Sequence, residues 1–491
     1  MITLVKAAYV IGYQNGDHVI FRHGEVAYEN DRIIFVGQSF AGTPDDVIDA
    51  GFAMLSPGFI DLDALADIDH ALLDSWHGPE TGSGLEWSAD YFTNHRRDVF
   101  SPEDRDFRHE FAFTQLIRNG ITTAMPIGGE MHNIWCETYD EWAAAADIAG
   151  RLGLRIYMGP SYRAGVNVVR DDGSRDVMWN VGLGEEGLAD AVRFAEDFDG
   201  AHAGLIRSVL LPARIETMTL ELMKKTAEAA KRLGVKVRLH CLQGQRELEL
   251  LKQWHGKSPL DLLDDTGLLG PDLLIPHGIY IGGTSRNPDG DATDLERIVR
   301  SGATIIHCPM TSIRYGTMME SFERYRAAGA NIAMGTDSFP PDMIRNMDIG
   351  CHISKAVEHR TSAGNAADIF RVATLGGAKA LGRDDLGRLA VGAMADMVII
   401  DLSDPRVGQV DDPIRTLLMN CTGANVATVI INGRVVMRDQ QFPGLDAKAM
   451  HARVQDYHAR MKAAYSERDY RRRATERLFP PSFSTVLAEG G

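Results

Sequence analysis

Five times along the chain an amphipathic stretch ends in glycine and an apolar run begins at once. Arg118-Asn119-Gly120 precedes ITTAMPI, Arg151-Leu152-Gly153 precedes LRIYMGP, and Arg232-Leu233-Gly234 precedes VKVRLHC; Arg300-Ser301-Gly302 and Ala327-Ala328-Gly329 open ATIIHCP and ANIAMGTD. Glycine closes a helix because it enters the left-handed conformation without a Cβ clash, so each junction reads as a helix end feeding a strand. With Met54–Asp61, Ile206–Ala213 and Leu273–Ile281 the strands number eight. Strands alternating with helices call for a parallel sheet, and eight such units predict a closed (β/α)8 TIM barrel over residues 57–384. An open doubly wound sheet is the alternative.

The two chain ends have another rhythm. Residues 1–56 fall into short runs (Thr3–Ile11, His18–Phe21, Arg32–Val36, Val47–Ala50) broken by Asn-Gly and Asn-Asp, the pattern of small antiparallel strands. After residue 384 the style returns in Met397–Asp401, Ala427–Ile431 and Arg434–Met437, the last two joined by Asn432-Gly433, a strong type I′ hairpin signal. Residues 1–56 and 385–445 are therefore expected to build one composite β-sandwich domain. Residues 446–491 read as a helical tail, in which Arg471-Arg472-Arg473 is a solvated face or a subunit contact.

Charge and cysteine usage exclude whole classes. Lys plus Arg number 51 against 68 Asp plus Glu, a net charge of −17, which repels phosphate backbones and anionic bilayers. Nucleic acid and membrane are not expected partners; a small molecule is. The five cysteines contain no C-x-x-C pair, which fits a cytoplasmic protein without a disulfide framework. No apolar run reaches the roughly 18 residues of a membrane span.

In a barrel the open mouth is built by the loops that follow the strands, so chemistry belongs at strand ends. Strand one closes on Asp61-Leu62-Asp63, strand five on His240-Cys241-Leu242-Gln243, strand six on Pro276-His277-Gly278, strand seven on His307-Cys308-Pro309 and strand eight on Gly335-Thr336-Asp337. Imidazoles and carboxylates brought together from separate strands suit one borderline divalent ion such as zinc. Trp76 and Trp87 lie in the long segment after strand one, where aromatics can wall a substrate pocket or simply pack a lid.

LSPGFIDLDALAD, the His240 and His277 strands, His307-Cys308-Pro309, Met334-Gly335-Thr336-Asp337 and GRLAVGAMADMV at 387–398 together resemble the amidohydrolase superfamily. The resemblance is to its chlorohydrolase and aminohydrolase branch, near the phenylurea and molinate hydrolases. It implies a barrel with a β-sandwich and hydrolysis by metal-activated water. Two departures stand out. The family's His-x-His after Pro-Gly-Phe-Ile-Asp-Leu is Asp63-Ala64-Leu65 here, and the glutamate three residues after the strand-five histidine is Gln243. Gln cannot pass a proton at neutral pH.

Three readings remain open at this point. The first is a hydrolase of an amide, urea or carbamate C–N bond: metal on His240, Asp337 and either His277 or Asp63, Asp337 taking the proton from water, His277 polarising or steering, and Gln243, His307, Trp76 and Trp87 holding the substrate. The second is an aminohydrolase of an N-heterocycle. The third is a metal-free binding protein on an inherited barrel. A homo-oligomer is expected from the family.

Overall fold

The structure, a computed structural model, describes residues 1–68, 87–128 and 135–486. Trp76, singled out in the sequence, lies outside the described residues.

Eight parallel strands close into a barrel: Phe59–Leu65, Ile121–Ile127, Arg155–Met158, Ile206–Pro212, Lys236–Arg238, Leu273–Pro276, Thr304–His307 and Asn331–Met334. Closure is visible where Met334 pairs with Asp61, joining the eighth strand to the first. The predicted glycine junctions hold: Gly153, Gly234 and Gly302 cap their helices in the left-handed region at φ 81°, 68° and 80°, and Gly120 and Gly329 adopt φ 80° and 84°. Leu, Ile, Val and Met side chains from strands and helices fill the space between the layers.

The first strand differs from expectation. The run Met54–Asp61 is two strands, Ala53–Pro57 in the other sheet and Phe59–Leu65 in the barrel. Gly58 marks the break: a Cβ there would stand 1.9 Å from Thr122 Oγ1, so only glycine lets the chain cross between sheets at this point. Asp63 consequently sits inside the first barrel strand.

Both chain ends share one eight-stranded sheet, running Arg434–Arg438, Val426–Ile431, Met397–Asp401, Ala53–Pro57, Ile2–Gln14, Asp17–Glu29, Arg32–Gly37, with Asp46–Asp49 beside Ile2–Gln14. The sheet is mixed, since Ala53–Pro57 and Asp46–Asp49 pair parallel to Ile2–Gln14. Asn432 and Gly433 form the expected hairpin turn at φ 55° and 72°. A buried bidentate pair, Arg155 Nε to Asp396 Oδ2 at 2.8 Å and Nη2 to Oδ1 at 3.2 Å, locks this sheet to the third barrel strand.

The tail helix Ala447–Arg468 lays Tyr457, Met461 and Tyr465 onto Phe100, Phe107 and Phe111, with Phe100 and Tyr457 stacked at 3.8 Å. Two members of the arginine triplet are paired within the chain, Arg472 with Asp90 and Arg473 with Asp469. Among the described residues no helix is long and apolar enough to cross a membrane.

Candidate active site and metal centre

At the open end of the barrel one ligand atom from each of Asp63, His240 and His277 lies within 4.8 Å of the other two. His240 Nε2 is 3.6 Å and His277 Nε2 4.0 Å from Asp63 Oδ2, and His277 Nε2 is 3.6 Å from Asp337 Oδ2. These separations are too long for hydrogen bonds. They approach the roughly 3.4 Å expected of two donors that each sit about 2.1 Å from a shared tetrahedral ion. His277 Nε2 is buried and has no hydrogen-bond partner, a costly state for an imidazole nitrogen unless a ligand completes it. Two imidazoles and two carboxylates are a donor set that a borderline divalent ion accepts, so the residues present fit a metal.

Protonation suits the same purpose. Burial lowers the His277 imidazole to about 3, so it is neutral at pH 7 with a lone pair to offer. Burial alone would raise the Asp63 carboxyl, but His240 and Arg238 beside it hold it well below the usual carboxylate range.

The elements that set these side chains in place are specific. Asp61 accepts from Thr336 N at 3.0 Å and Thr336 Oγ1 at 2.6 Å, tying the first strand to the loop that carries Asp337. Asp337 N donates to Asp63 O at 2.7 Å, and Thr311 Oγ1 donates to the Asp337 carbonyl. Gly335 has Asp63 Cβ 2.6 Å and Cys308 Sγ 2.9 Å from where its own Cβ would be, so a side chain there would displace the ligand. Asp337 and His277 themselves adopt φ 42° and 68°, an uncommon backbone state that clusters at functional sites.

Arg238, two residues before His240 and on the same inward face, lies beneath the cluster and was not anticipated. Its Nη1 is 3.3 Å from Asp63 Oδ1, and it donates to the carbonyls of Leu62, Met125 and Pro126. An arginine at the period-two position before a strand-end histidine, hence on the same face of the strand, is the sequence signal that could have marked it.

The other expected site residues part company. Gln243 and Trp87 line one cavity of about 430 Å3 over the mouth, with Phe92, Arg214, Glu216 and Glu247. Gln243 Oε1 accepts from Arg214 Nη1. Trp87 is braced from behind by the Arg468 guanidinium, 4.0 Å from its ring centre. A hairpin, Gly165–Val169 with Arg175–Trp179, pairs with Trp87–Ser88 and forms a small sheet over this cavity. His307 does not line the cavity; it is buried, its ring 6.0 Å from Phe322, and its imidazole is lowered to about 4 by that burial. Cys308 is an inert buried thiol whose Sγ contacts Asp63 Oδ2 at 3.6 Å, raised far above the usual range by burial first and by Asp63. Asp67, just beyond the first barrel strand, is buried and pairs with buried Arg108 at 3.4 Å.

Comparison with known proteins agrees with this architecture. A 5-methylthioadenosine/S-adenosylhomocysteine deaminase of Pyrococcus abyssi is 25% identical over 427 residues, covering 86% of this chain and 91% of its own. A zinc-bound adenosine deaminase of Xanthomonas campestris superposes with TM-score 0.78 at 21% identity, over 94% and 98% of the two chains. An atrazine chlorohydrolase of Arthrobacter aurescens complexed with zinc superposes with TM-score 0.75 at 17% identity, over 93% and 100%. The amidohydrolase family matches residues 54–436, which spans the barrel and its flanking strands. The chain belongs to the amidohydrolase family.

Proposed function

We propose that this protein hydrolyses a carbon–nitrogen bond of a small molecule, using one divalent ion, zinc by preference, held by Asp63, His240, His277 and Asp337. The observation that carries the reading is the convergence of the Asp63, His240 and His277 ligand atoms within 4.8 Å at the barrel mouth. When bound, such an ion supplies a Lewis-acid charge that brings water to a pKa of about 7.

The chain's residues supply the remainder. Asp337 has the most exposed side chain of the four, 15% against 0 to 9% for the others, so its carboxylate is the group placed to take a proton from the attacking water and pass it to the leaving nitrogen. Gln243, with Oε1 committed to Arg214, has its amide N–H groups to offer the substrate. Trp87 and Phe92 give the cavity an apolar wall on which a planar ring can stack.

The finer reading is deamination of an amino-substituted N-heterocycle, supported by the names of relatives that align over nearly the whole chain. Such a reaction also needs a proton for the ring nitrogen. Glu247 lines the same cavity, and burial together with Glu216 pushes its carboxyl up to about 8, so it is the acid that supplies the proton Gln243 cannot, once it turns from the Leu242 and Gln243 amides it faces. The second reading, hydrolysis of an amide, urea or carbamate, is favoured by Gln243 itself, because those substrates need no ring protonation.

The test is a metal-loaded preparation assayed on aminopurine nucleosides for ammonia and on anilides and phenylureas for amine, with Asp337→Asn as control. Ammonia release lost in the control supports deamination, and amine release selects the second reading. Neither product from protein that holds its ion would overturn both.

A further inference from the structure

We infer that the substrate carries an anionic group, a carboxylate or a phosphate monoester, seated on Arg246 and the other arginines that line the mouth cavity together with Trp87 and Phe92. This deepens the hydrolase reading and rests on it.

Four arginines line this one cavity: Arg163 after the third barrel strand, Arg175 on the overlying hairpin, Arg214 after the fourth strand and Arg246 in the first turn of the helix Gln245–His255. Four guanidiniums from separate segments around about 430 Å3 run against the chain's net charge of −17. Arg246 is the informative member. Its Nε and Nη2 are both buried with no hydrogen-bond partner. Unpaired guanidinium N–H groups out of water are costly, whereas Nε and Nη2 form the edge that grips a carboxylate or phosphate with two parallel bonds.

The backbone adds to the same field. The helix Gln245–His255 begins at Gly244 with no side-chain cap, and a Cβ built on Gly244 meets nothing within 4 Å. An open, uncapped, positive helix end therefore faces the cavity that Gly244 and Arg246 line.

The acidic side chains around Arg246 are turned to other partners. Glu247 turns its carboxyl to Leu242 N and Gln243 N at 2.6 and 3.2 Å and holds a proton at neutral pH, burial and Glu216 raising it to about 8. Glu216 accepts from Asn167 Nδ2 at 3.2 Å. Asp176, within electrostatic reach of Arg246, is engaged by Arg170 Nε at 2.8 Å. An aromatic wall and a cationic wall in one cavity select a planar molecule with a negative arm.

The probes are benzoate, phenyl phosphate and the neutral isostere benzamide, titrated calorimetrically into the full metal-loaded chain. Benzoate or phenyl phosphate should bind about tenfold or more tightly than benzamide, as a two-bond charged contact predicts; the tighter anion identifies carboxylate or phosphate as the natural arm. In Arg246→Met, which keeps the apolar stem, the preference should largely vanish, and Arg246→Lys should restore part of it. Equal binding of all three probes, or an undiminished preference in Arg246→Met, overturns the inference. Metal content and turnover are read separately. A metal-loaded hydrolase without anion preference removes this inference alone, and anion preference without metal or turnover removes the hydrolase reading alone.

Discussion

Arg238 and Asp63 form a buried pair at the floor of the site, Nη1 to Oδ1 at 3.3 Å with side chains 1% and 0% exposed. The same guanidinium holds the carbonyls at the ends of the first and second barrel strands. It therefore sets a positive charge beside Oδ1 and leaves Oδ2 toward His240 and His277. Arg238→Met should cost about 3–5 kcal/mol, because it leaves an uncompensated buried charge and orphaned carbonyls. Urea denaturation of metal-free protein checks this, and Arg238→Met/Asp63→Leu should recover part of the loss. A single variant as stable as wild type would show that Asp63 needs no cation beneath it.

Metal binding should appear as folding stability. An ion that binds only the native chain stabilises it by about 2.7 kcal/mol at one hundred times its dissociation constant. Zinc added to the chelated wild type should raise the unfolding midpoint accordingly, and His240→Asn should show no such rise while keeping its far-ultraviolet circular dichroism. Asp63→Ala should also lose the ion. An unchanged metal content in that variant would remove Asp63 from the ligand set.

Much of the site was legible because barrel geometry places strand-end residues at one mouth: His240, His277 and Asp337 needed only eight correctly phased strands. The strands were legible because glycine junctions are local signals, and they do adopt left-handed φ. The break at Gly58 was not, since its cause is Thr122, 64 positions away in the chain and pressed against it. Arg246, Glu216 and Glu247 were invisible for the same reason. Each is an ordinary surface residue by type, and only the hairpin over the mouth encloses them in one cavity.

Gln243→Glu tests the chemistry of the mouth. The new carboxylate would face Arg214, whose Nη1 now donates to the amide oxygen, and an ion pair should keep it in place. If the substrate is an amino-heterocycle, kcat for ammonia release should rise, and its pH profile should gain an ionisation from the added acid. A change in KM alone would mean that the residue binds without moving a proton.

The barrel and the flanking sheet should fail together when their buried link is cut. Arg155 reaches Asp396 through two bonds and Asn432 Oδ1 at 3.3 Å, with its side chain 2% exposed. Asp396 in turn accepts from Asn432 N at 2.7 Å, setting the Asn-Gly turn. Arg155→Met should cost about 3–5 kcal/mol. Calorimetry should show one transition at a lower temperature, and two separated transitions would mean that the sheets fold independently.

Glu247 should leave a signature in stability against pH. Its folded carboxyl lies near 8 against an ordinary 4.5, so between those values the native chain holds a proton that the unfolded chain has released. Stability from this group is therefore greatest below about pH 4.5 and falls as pH rises to about 8, by up to about 1.4 kcal/mol per pH unit, then levels. Glu247→Gln cannot ionise. It also cannot accept at both positions now bonded to Leu242 N and Gln243 N, so it should be less stable than wild type at pH 5, by about 1–3 kcal/mol. The gap should close or reverse by pH 9, as wild type is forced to bury a charge beside Glu216. Parallel stability curves for the two proteins across that range would show that the carboxyl is already ionised at neutral pH, and the proton source for a ring nitrogen would have to be sought elsewhere in the cavity.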